Sequence, residues 1–263
     1  MISIYEGLSQ LEKNNEPAAL CTVVRSEGST PRHVGSKMLV YPDGKFIGTV
    51  GGGELESRVI KAALESLREG RAQNLSYTMA DPSRGDPGVC GGTVEVFVEP
   101  VLPSAMIVVI GGGHVGKAVV HLAKWLGFRV AVSDDRVEFC NPESVPGADA
   151  YYPVPMVELP NQLKVTRQTY LVITSRGSPI DAAGMPSLLD TDAGYIGVIG
   201  SKRRWLTTVK ALKEKGISED KIARVHSPMG LELNAETPEE IAVSIMAEIL
   251  MLRDKGTGRM MKE

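Results

Sequence analysis

One stretch, residues 107–135, constrains the fold of this chain more than any other. It reads IVVIGGGHVGKAVVHLAKWLGFRVAVSDD, in which Gly111, Gly113 and Gly116 form a G-x-G-x-x-G motif between a short apolar run and an amphipathic segment. Asp134 stands roughly 20 residues further on, at the end of the next apolar run. Such glycines let a strand turn tightly into a helix whose N-terminus can approach a pyrophosphate, and an acid at this distance can bind a ribose hydroxyl. The motif therefore predicts a Rossmann-type domain, with these four residues as candidate nucleotide ligands.

The same residues leave other interpretations to weigh. The glycines can serve only to pack the helix on the strand, without any dinucleotide. Residues 111–117 also fit G-x-x-x-x-G-K, the start of a phosphate loop, but Ala118 follows the lysine where magnesium binding needs a Ser or Thr hydroxyl. This argues against an ATPase. His114, beside the glycines at the predicted helix N-terminus, joins the candidate binding residues.

The length of 263 residues favours two domains over one. The first part has the pattern of a mixed domain. Strands are expected at residues 18–25 and 93–98, a hairpin around residues 43–44, and helices at the N-terminus and over residues 55–67.

The predicted domain boundary is the sequence PVLPS, residues 100–104, which holds two prolines where the pattern changes. After it, apolar strand patterns alternate with helical ones, which is the βαβ order of a parallel sheet with helices on both faces. We therefore predict an α/β protein, in which an N-terminal mixed α/β domain, residues 1–100, precedes a Rossmann-like doubly wound domain, residues 105–263.

Charge and cysteine content exclude several function classes. The 29 basic and 32 acidic residues give a net charge of -3, which supplies no general attraction to nucleic acid or anionic lipid. Cys21, Cys90 and Cys140 form an odd set without C-x-x-C spacing, so neither a disulfide framework nor a structural zinc site is expected, and Cys140 is expected on a loop with no evident partner. The chain starts without a secretory pattern, and no apolar run approaches about 18 residues. We expect a cytoplasmic protein without stable membrane insertion.

A second glycine run, in GTVGGGELESRV, follows a predicted strand and precedes a predicted helix. The backbone amides of Gly51, Gly52 and Gly53, together with the helix dipole, suit a phosphate or another oxyanion. The alternative is a tight turn in which Glu54 and its neighbour Glu56 stabilise the positive end of the helix themselves.

Other polar residues in the N-terminal half complete a candidate anion pocket. The sequence GSTPRHVGSK offers Ser29, Arg32 and Lys37, and VCGG offers Cys90 between glycine-rich turns. A thiolate in such a flexible segment is a candidate metal ligand, whereas Cys21 within ALCTVV is expected to be a buried apolar residue. An incidental loop thiol is the alternative for Cys90.

One more candidate contact follows a later predicted strand, in IGSKRRW. Ser201 and Lys202 open a helix at the edge of the sheet where Rossmann ligands bind. A lysine is electrostatically unfavourable at a helix N-terminus, so a ligand contact and a solvated first turn are both retained as interpretations.

Taken together and in this order, several motifs resemble the XdhC/CoxI family of xanthine dehydrogenase accessory proteins. The resemblance covers nearly the whole chain, and it rests on GSTPRHVGSKMLV, GTVGGGELE, VCGGTVEVFVEP, IGGGHVGKA, SDDRVEF, YIGVIGSKRR and HSPMGLELNAETPEEIAVSIMAEI. So many motifs in fixed order are far more specific than one glycine turn.

The resemblance implies a non-catalytic chaperone rather than an enzyme. Members of the family are accessory proteins that bind the molybdenum cofactor, support its sulfuration and deliver it to a molybdenum hydroxylase of the xanthine dehydrogenase type. The implied partners are that hydroxylase and a cysteine desulfurase, and the implied state is a homodimer. Glycine-rich amides would hold the cofactor phosphate, at either glycine run, while Arg32 or Lys37 balances charge and Cys90 approaches the metal.

Two departures from the family pattern are visible. Many relatives have a histidine in TRGHxxD where this chain has Ser178, in TSRGSPID. Some have a cysteine directly after the triple glycine, where this chain has Glu54, which leaves Cys90 as the thiol candidate in the N-terminal half.

Two rival functions are compatible with the residues alone: an NAD(P)-dependent oxidoreductase and a nucleotide-sensing regulatory module. Both would use the Rossmann half. Against the first, the sequence offers no convincing proton donor with a substrate-binding group outside the glycine turn, and a fold alone does not establish a reaction.

Overall fold

The computed structural model describes residues 3–79, 87 and 91–262. The chain divides into two compact units, Met1–Pro103 and Ser104–Glu263. The division falls within the proline-containing segment in which the sequence predicts a boundary.

The N-terminal unit is a five-stranded antiparallel sheet with helices on both faces. Its elements are α1 (Ile4–Asn14), β1 (Ala18–Glu27), β2 (Lys37–Val40), β3 (Phe46–Gly48), α2 (Gly53–Glu69), β4 (Gln73–Thr78) and β5 (Thr93–Val101). The strand order is β3-β2-β1-β5-β4. Alternation along β1 sends Cys21 and Val23 to the core beneath α2, while Ala18 packs with Leu11 of α1.

The C-terminal unit is a six-stranded parallel sheet between two layers of helices. Its elements are β6 (Met106–Ile110), α3 (His114–Trp125), β7 (Arg129–Ser133), β8 (Ala150–Tyr152), α4 (Leu159–Gln162), β9 (Thr169–Ile173), α5 (Ser178–Leu189), β10 (Tyr195–Val198), α6 (Lys202–Glu214), α7 (Glu219–Ala223), β11 (Val225–His226) and α8 (Pro238–Arg253). The strand order is β11-β10-β9-β6-β7-β8.

Numbered from β6, this order is 3-2-1-4-5-6, the doubly wound arrangement of dinucleotide-binding folds. Along β6, Ile107 and Val109 face the core shared with α3 and α8, whereas Val108 and Ile110 face the core shared with α5 and α6. The predicted Rossmann-like unit, with helices on both faces of its sheet, is confirmed.

No helix within the described ranges combines the length and the apolar character that crossing a membrane requires.

Candidate functional site

A cleft of about 330 Å³ opens where β6, β7 and β9 end. Neighbouring strands β6 and β9 have their crossovers on opposite faces of the sheet, so the cleft lies at the topological switch point where doubly wound folds bind ligands. We call it the switch-point cleft. Its lining residues are Ile110, Gly111, Ser133, Asp134, Asp135, Arg136, Val154, Pro155, Met156, Val157, Thr174, Ser175, Arg176, Pro179, Ile180, Ala183 and Gly184.

The glycine turn between β6 and α3 borders this cleft, and close backbone packing requires three of its glycines, including Gly111, whose Cβ atom would lie 2.6 Å from the carbonyl oxygen of Thr174. A Cβ atom on Gly116 would overlap the carbonyl oxygen of Gly111, and one on Gly112 would overlap that of Phe139. Gly113 differs, because a Cβ atom there would meet nothing within 4 Å. Gly113 is the N-cap of α3 and supplies no side chain to cap it, and His114 begins the helix as an exposed residue.

The carboxylate of Asp134 is buried, and both of its oxygens already have partners. Oδ1 accepts from the backbone N–H of Arg136 at 3.0 Å and from its Nε at 2.9 Å. Oδ2 accepts from the N–H of Gly112 at 3.0 Å and from Nη2 of Arg136 at 2.9 Å. Burial raises the pKa of Asp134, but these donors outweigh it and leave that pKa below its usual value. Asp134 therefore lies where the motif predicts, and its carboxylate is paired with the Arg136 guanidinium.

A second acid and base pair stands at the rim of the cleft. Arg176, just after β9, donates Nη2 to both carboxylate oxygens of Asp135, just after β7, at 2.9 and 3.0 Å. The two side chains are 49% and 48% exposed, so this pair is solvated and weakly held.

A buried ion pair without a sequence motif lies behind the cleft. Asp181 of α5 is fully buried and accepts from Arg204 of α6 at 2.7 Å, and it also accepts from the Ser175 hydroxyl. Arg204 further donates to the backbone carbonyl of Ser175 at 3.2 Å. The pair joins the loop after β9 to α6. The sequence around either residue does not indicate that the two are in contact.

The predicted contacts Ser201 and Lys202 lie at the start of α6. Ser201 is its N-cap and accepts from the N–H of Arg204 at 3.2 Å, while Lys202 is exposed. Neither residue lines the switch-point cleft. Their role as ligand contacts stays a prediction.

The second glycine run forms the predicted turn from β3 into α2. Gly52 is the N-cap of α2, and Gly51, Gly52 and Gly53 all have positive φ angles. Glu54 is paired with Arg58 one turn along the helix at 3.0 Å, which supports the alternative in which the acids of this turn serve the helix.

The structure brings part of the predicted N-terminal pocket together. A Cβ atom on Gly51 would lie 2.8 Å from the Pro31 ring, and one on Gly92 would overlap the carbonyl oxygen of Ser29. Ser29 and Arg32 are exposed on this loop, and the Arg32 guanidinium donates to the carbonyl of Pro31 at 3.2 Å. Cys90, the predicted metal ligand, lies outside the described residues.

The other two cysteines are buried. Burial raises the pKa of the Cys21 thiol to about 12, which confirms its prediction as an apolar core residue. Cys140 lies on the predicted loop, but it is only 3% exposed and its thiol donates to the carbonyl of Val132 at 3.4 Å. The expectation that Cys140 has no partner is therefore wrong, because the loop folds into the core beside β7. Among the described residues, no group of three or more His, Cys, Asp or Glu could hold a metal ion.

The strand order, the glycine turn and the cleft at the switch point define the C-terminal unit as a Rossmann domain. Family models agree with this class. The model described as the XdhC Rossmann domain matches residues 107–249, and the model of the XdhC and CoxI family matches residues 11–78. The chain belongs to the XdhC and CoxI family.

Individual relatives point the same way. The chain is 34% identical to the protein YqeB of Escherichia coli over 99% of this chain and 48% of that protein. It is 28% identical to a probable xanthine dehydrogenase component of Bacillus subtilis over 62% of this chain and 47% of that protein. The chain thus spans about half the length of these two relatives.

Two further proteins are similar to the chain over most of their own length. The chain is 21% identical to the molybdenum cofactor insertion chaperone PaoD of Escherichia coli, over 90% of this chain and 83% of that protein. A crystal structure described as a xanthine dehydrogenase from Bacillus halodurans superposes with a TM-score of 0.52 at 22% identity, covering 96% of each chain. At this identity the superposition supports the fold alone.

Proposed function

We propose that this protein is an accessory factor for a molybdenum hydroxylase of the xanthine dehydrogenase type. In this proposal it acts in the cytoplasm, binds the molybdenum cofactor as transient cargo, supports its sulfuration and inserts it into the enzyme. The observation that carries the proposal is the similarity to a molybdenum cofactor insertion chaperone along most of both chains. Family membership over both units supports it.

Residues of the N-terminal unit support the thiol role of Cys90 in this proposal. The loop of Ser29 and Arg32 packs beside the glycine turn at Gly51 and beside Gly92, which follows Cys90 by two positions. A thiolate there would be a soft ligand for molybdenum or an acceptor for the sulfur being installed, and an exposed guanidinium would balance the anionic charge. A cysteine desulfurase is the sulfur donor that this role requires.

The test is cofactor loading and transfer. The protein, purified from cells that make the cofactor, is expected to retain molybdenum and pterin and to activate a cofactor-free hydroxylase. Cys90→Ser is expected to lose most of both activities, since a serine hydroxyl at neutral pH supplies no soft anionic ligand. Cys21→Ala and Cys140→Ala are matched controls, because both thiols are buried in the core.

Three outcomes would contradict these claims. Equal loading and activation by all three variants would remove Cys90 from the site and leave the glycine turns and basic residues to hold the cargo. A protein that holds no molybdenum cofactor but oxidises NADH or NADPH with turnover would instead establish the rival oxidoreductase, and nucleotide binding without turnover would favour a sensing module.

We also propose that the protein works as a two-fold homodimer, the commonest closed arrangement of soluble oligomers. Light scattering at micromolar concentrations is expected to give twice the chain mass of 28.2 kDa. A constant mass of one chain over that range would contradict the dimer.

A further inference from the structure

The two acids at the switch-point cleft differ in how firmly they are held. Asp134 is 3% exposed and Arg136 is 27% exposed, and the guanidinium meets both carboxylate oxygens. Arg136 also lies over the Phe139 ring, with its central carbon 3.8 Å from the ring centroid. Asp135 and Arg176, by contrast, are each about half exposed.

The Asp134 pair masks the acceptor that a dinucleotide would use. In Rossmann domains that bind NAD, an acid at this position accepts hydrogen bonds from the ribose hydroxyls. Here a ribose diol would have to displace a bidentate guanidinium, whose two parallel N–H···O bonds carry a full positive charge that a neutral diol does not supply. The arrangement therefore disfavours ligands that present a free ribose diol.

Asp135 remains able to accept a ligand. Its partner Arg176 makes a solvated ion pair, which is cheap to open because water replaces the lost contact. Once open, the Asp135 carboxylate offers two adjacent oxygens to a ligand that has two parallel N–H donors, as it now does to a guanidinium.

The walls of the cleft suit an uncharged ring. Val154 and Met156 contribute apolar surface after β8, and Ile180 and Ala183 contribute it from α5. The two acids and the two guanidinium groups at the cleft cancel in charge, so they supply no net attraction to a polyanion. At about 330 Å³ the cleft is at the small end of ligand pockets.

We infer that the switch-point cleft binds the pterin ring of the cargo, with the Asp135 carboxylate accepting from the 2-amino group and the adjacent ring N–H. Arg136 is then a specificity residue, because it pairs with the Asp134 carboxylate that a ribose diol would otherwise bind. This inference rests on the proposed function but not on the metal role of Cys90, because it assigns a place only to the ring of the proposed cargo. Guanine has the same amino and oxo groups along one edge as pterin. GMP also carries a ribose diol, so titration with pterin and with GMP distinguishes the two ligands.

Calorimetric titration of the full chain with pterin, GMP and NAD tests the inference. We expect pterin to bind at least about tenfold more tightly than GMP or NAD. Asp135→Asn should weaken pterin binding by about tenfold or more, because one oxygen becomes a donor. Arg136→Ala should strengthen NAD binding by about tenfold, since it exposes Asp134 while the N–H groups of Gly112 and residue 136 still stabilise the carboxylate.

A blocking variant separates the cleft from the rest of the surface. Ala183 is exposed on α5 and lines the cleft, so Ala183→Trp fills the space without entering the core. Ala223, exposed at the end of α7 and outside the cleft, gives Ala223→Trp as the matched control. We expect pterin binding to be lost in the first variant and kept in the second.

Pterin binding that is absent from the unmodified protein, or is equal in the two tryptophan variants, would overturn the inference. GMP binding as tight as pterin would overturn the pterin assignment, and unchanged NAD binding in Arg136→Ala would remove the role of Arg136. Failure of the proposed function is seen separately, as a protein that retains no molybdenum cofactor and activates no hydroxylase. If Ala183→Trp still loads and transfers the cofactor, the proposed function stands and the cleft is not its site.

Discussion

Arg204→Met is expected to lower the free energy of unfolding of the C-terminal unit by about 3–5 kcal/mol, because it leaves the carboxylate of Asp181 buried without its cation. Asp181 is fully inaccessible to solvent, so water cannot replace the guanidinium. The Ser175 hydroxyl remains as a donor, but one neutral hydrogen bond does not offset a buried charge. For a unit of this size, the loss corresponds to a fall in Tm of roughly 6–20 °C.

Urea unfolding followed by tryptophan fluorescence measures this loss selectively, because Trp125 and Trp205 both lie in the C-terminal unit. Arg203→Met is the matched control, since Arg203 is adjacent and exposed and its replacement should change stability by less than about 0.5 kcal/mol. Equal midpoints for the two variants would show that the buried pair contributes nothing to folding.

The double variant Arg204→Met with Asp181→Ala isolates the pairing itself. Each single change strands a partner, whereas the double change removes both charges, so its cost should be well below the sum of the two single costs. Additive losses would mean that each residue acts through its packing rather than through the ion pair.

This ion pair is also an example of a contact that the sequence does not predict. The turn from β6 to α3 is predictable because the apolar run, the glycine spacing and the helical periodicity are all local. Asp181 and Arg204 stand on different helices, and no periodicity in either segment indicates that they meet. The motifs TSRGSPID and IGSKRR are recognisable separately, and only the fold shows that they are joined.

Helix α5 is hard to predict from the sequence for a related reason. Its sequence, SPIDAAGMPSLL, has buried residues on several sides and a proline inside, so it lacks the apolar stripe of a surface helix. Strand β4, QNLSYT, has a weak sequence pattern, because one face of the strand is polar and the strand lies at an edge of the sheet.

The sequence predicts the position of the candidate site better than it predicts which of its side chains are already paired. Asp134 stands at the end of β7, as the spacing from the glycines predicts, but the motif does not indicate that Arg136, two residues away, is its partner. The sequence shows where the charged residues lie along the chain. The conformation of the loop after β7 determines which of them form ion pairs. The same loop turns Cys140 inward against Val132.

Gly116→Ala and Gly113→Ala are expected to separate the architectural and ligand-binding interpretations of the glycine turn. A methyl group on Gly116 would overlap the carbonyl oxygen of Gly111, and because that neighbour is backbone rather than a movable side chain, the loss of stability should reach about 3 kcal/mol. Gly113 has a φ of -73° and open space around its Cα, so the gain from a less flexible unfolded chain should offset the cost of alanine at an N-cap, and the stability of the unit should change by less than about 1 kcal/mol.

Ligand binding should show the opposite pattern in Gly113→Ala. In the ligand-binding interpretation, the added methyl group would obstruct the approach of a phosphate to the N–H groups at the start of α3, and we expect molybdenum cofactor loading to fall about tenfold, a change of about 1.4 kcal/mol. The pair of measurements is decisive because the variant that folds normally is the one expected to lose cargo. Normal loading by a stable Gly113→Ala protein would mean that the turn serves to pack α3 on β6, and that the phosphate of any cargo is held elsewhere.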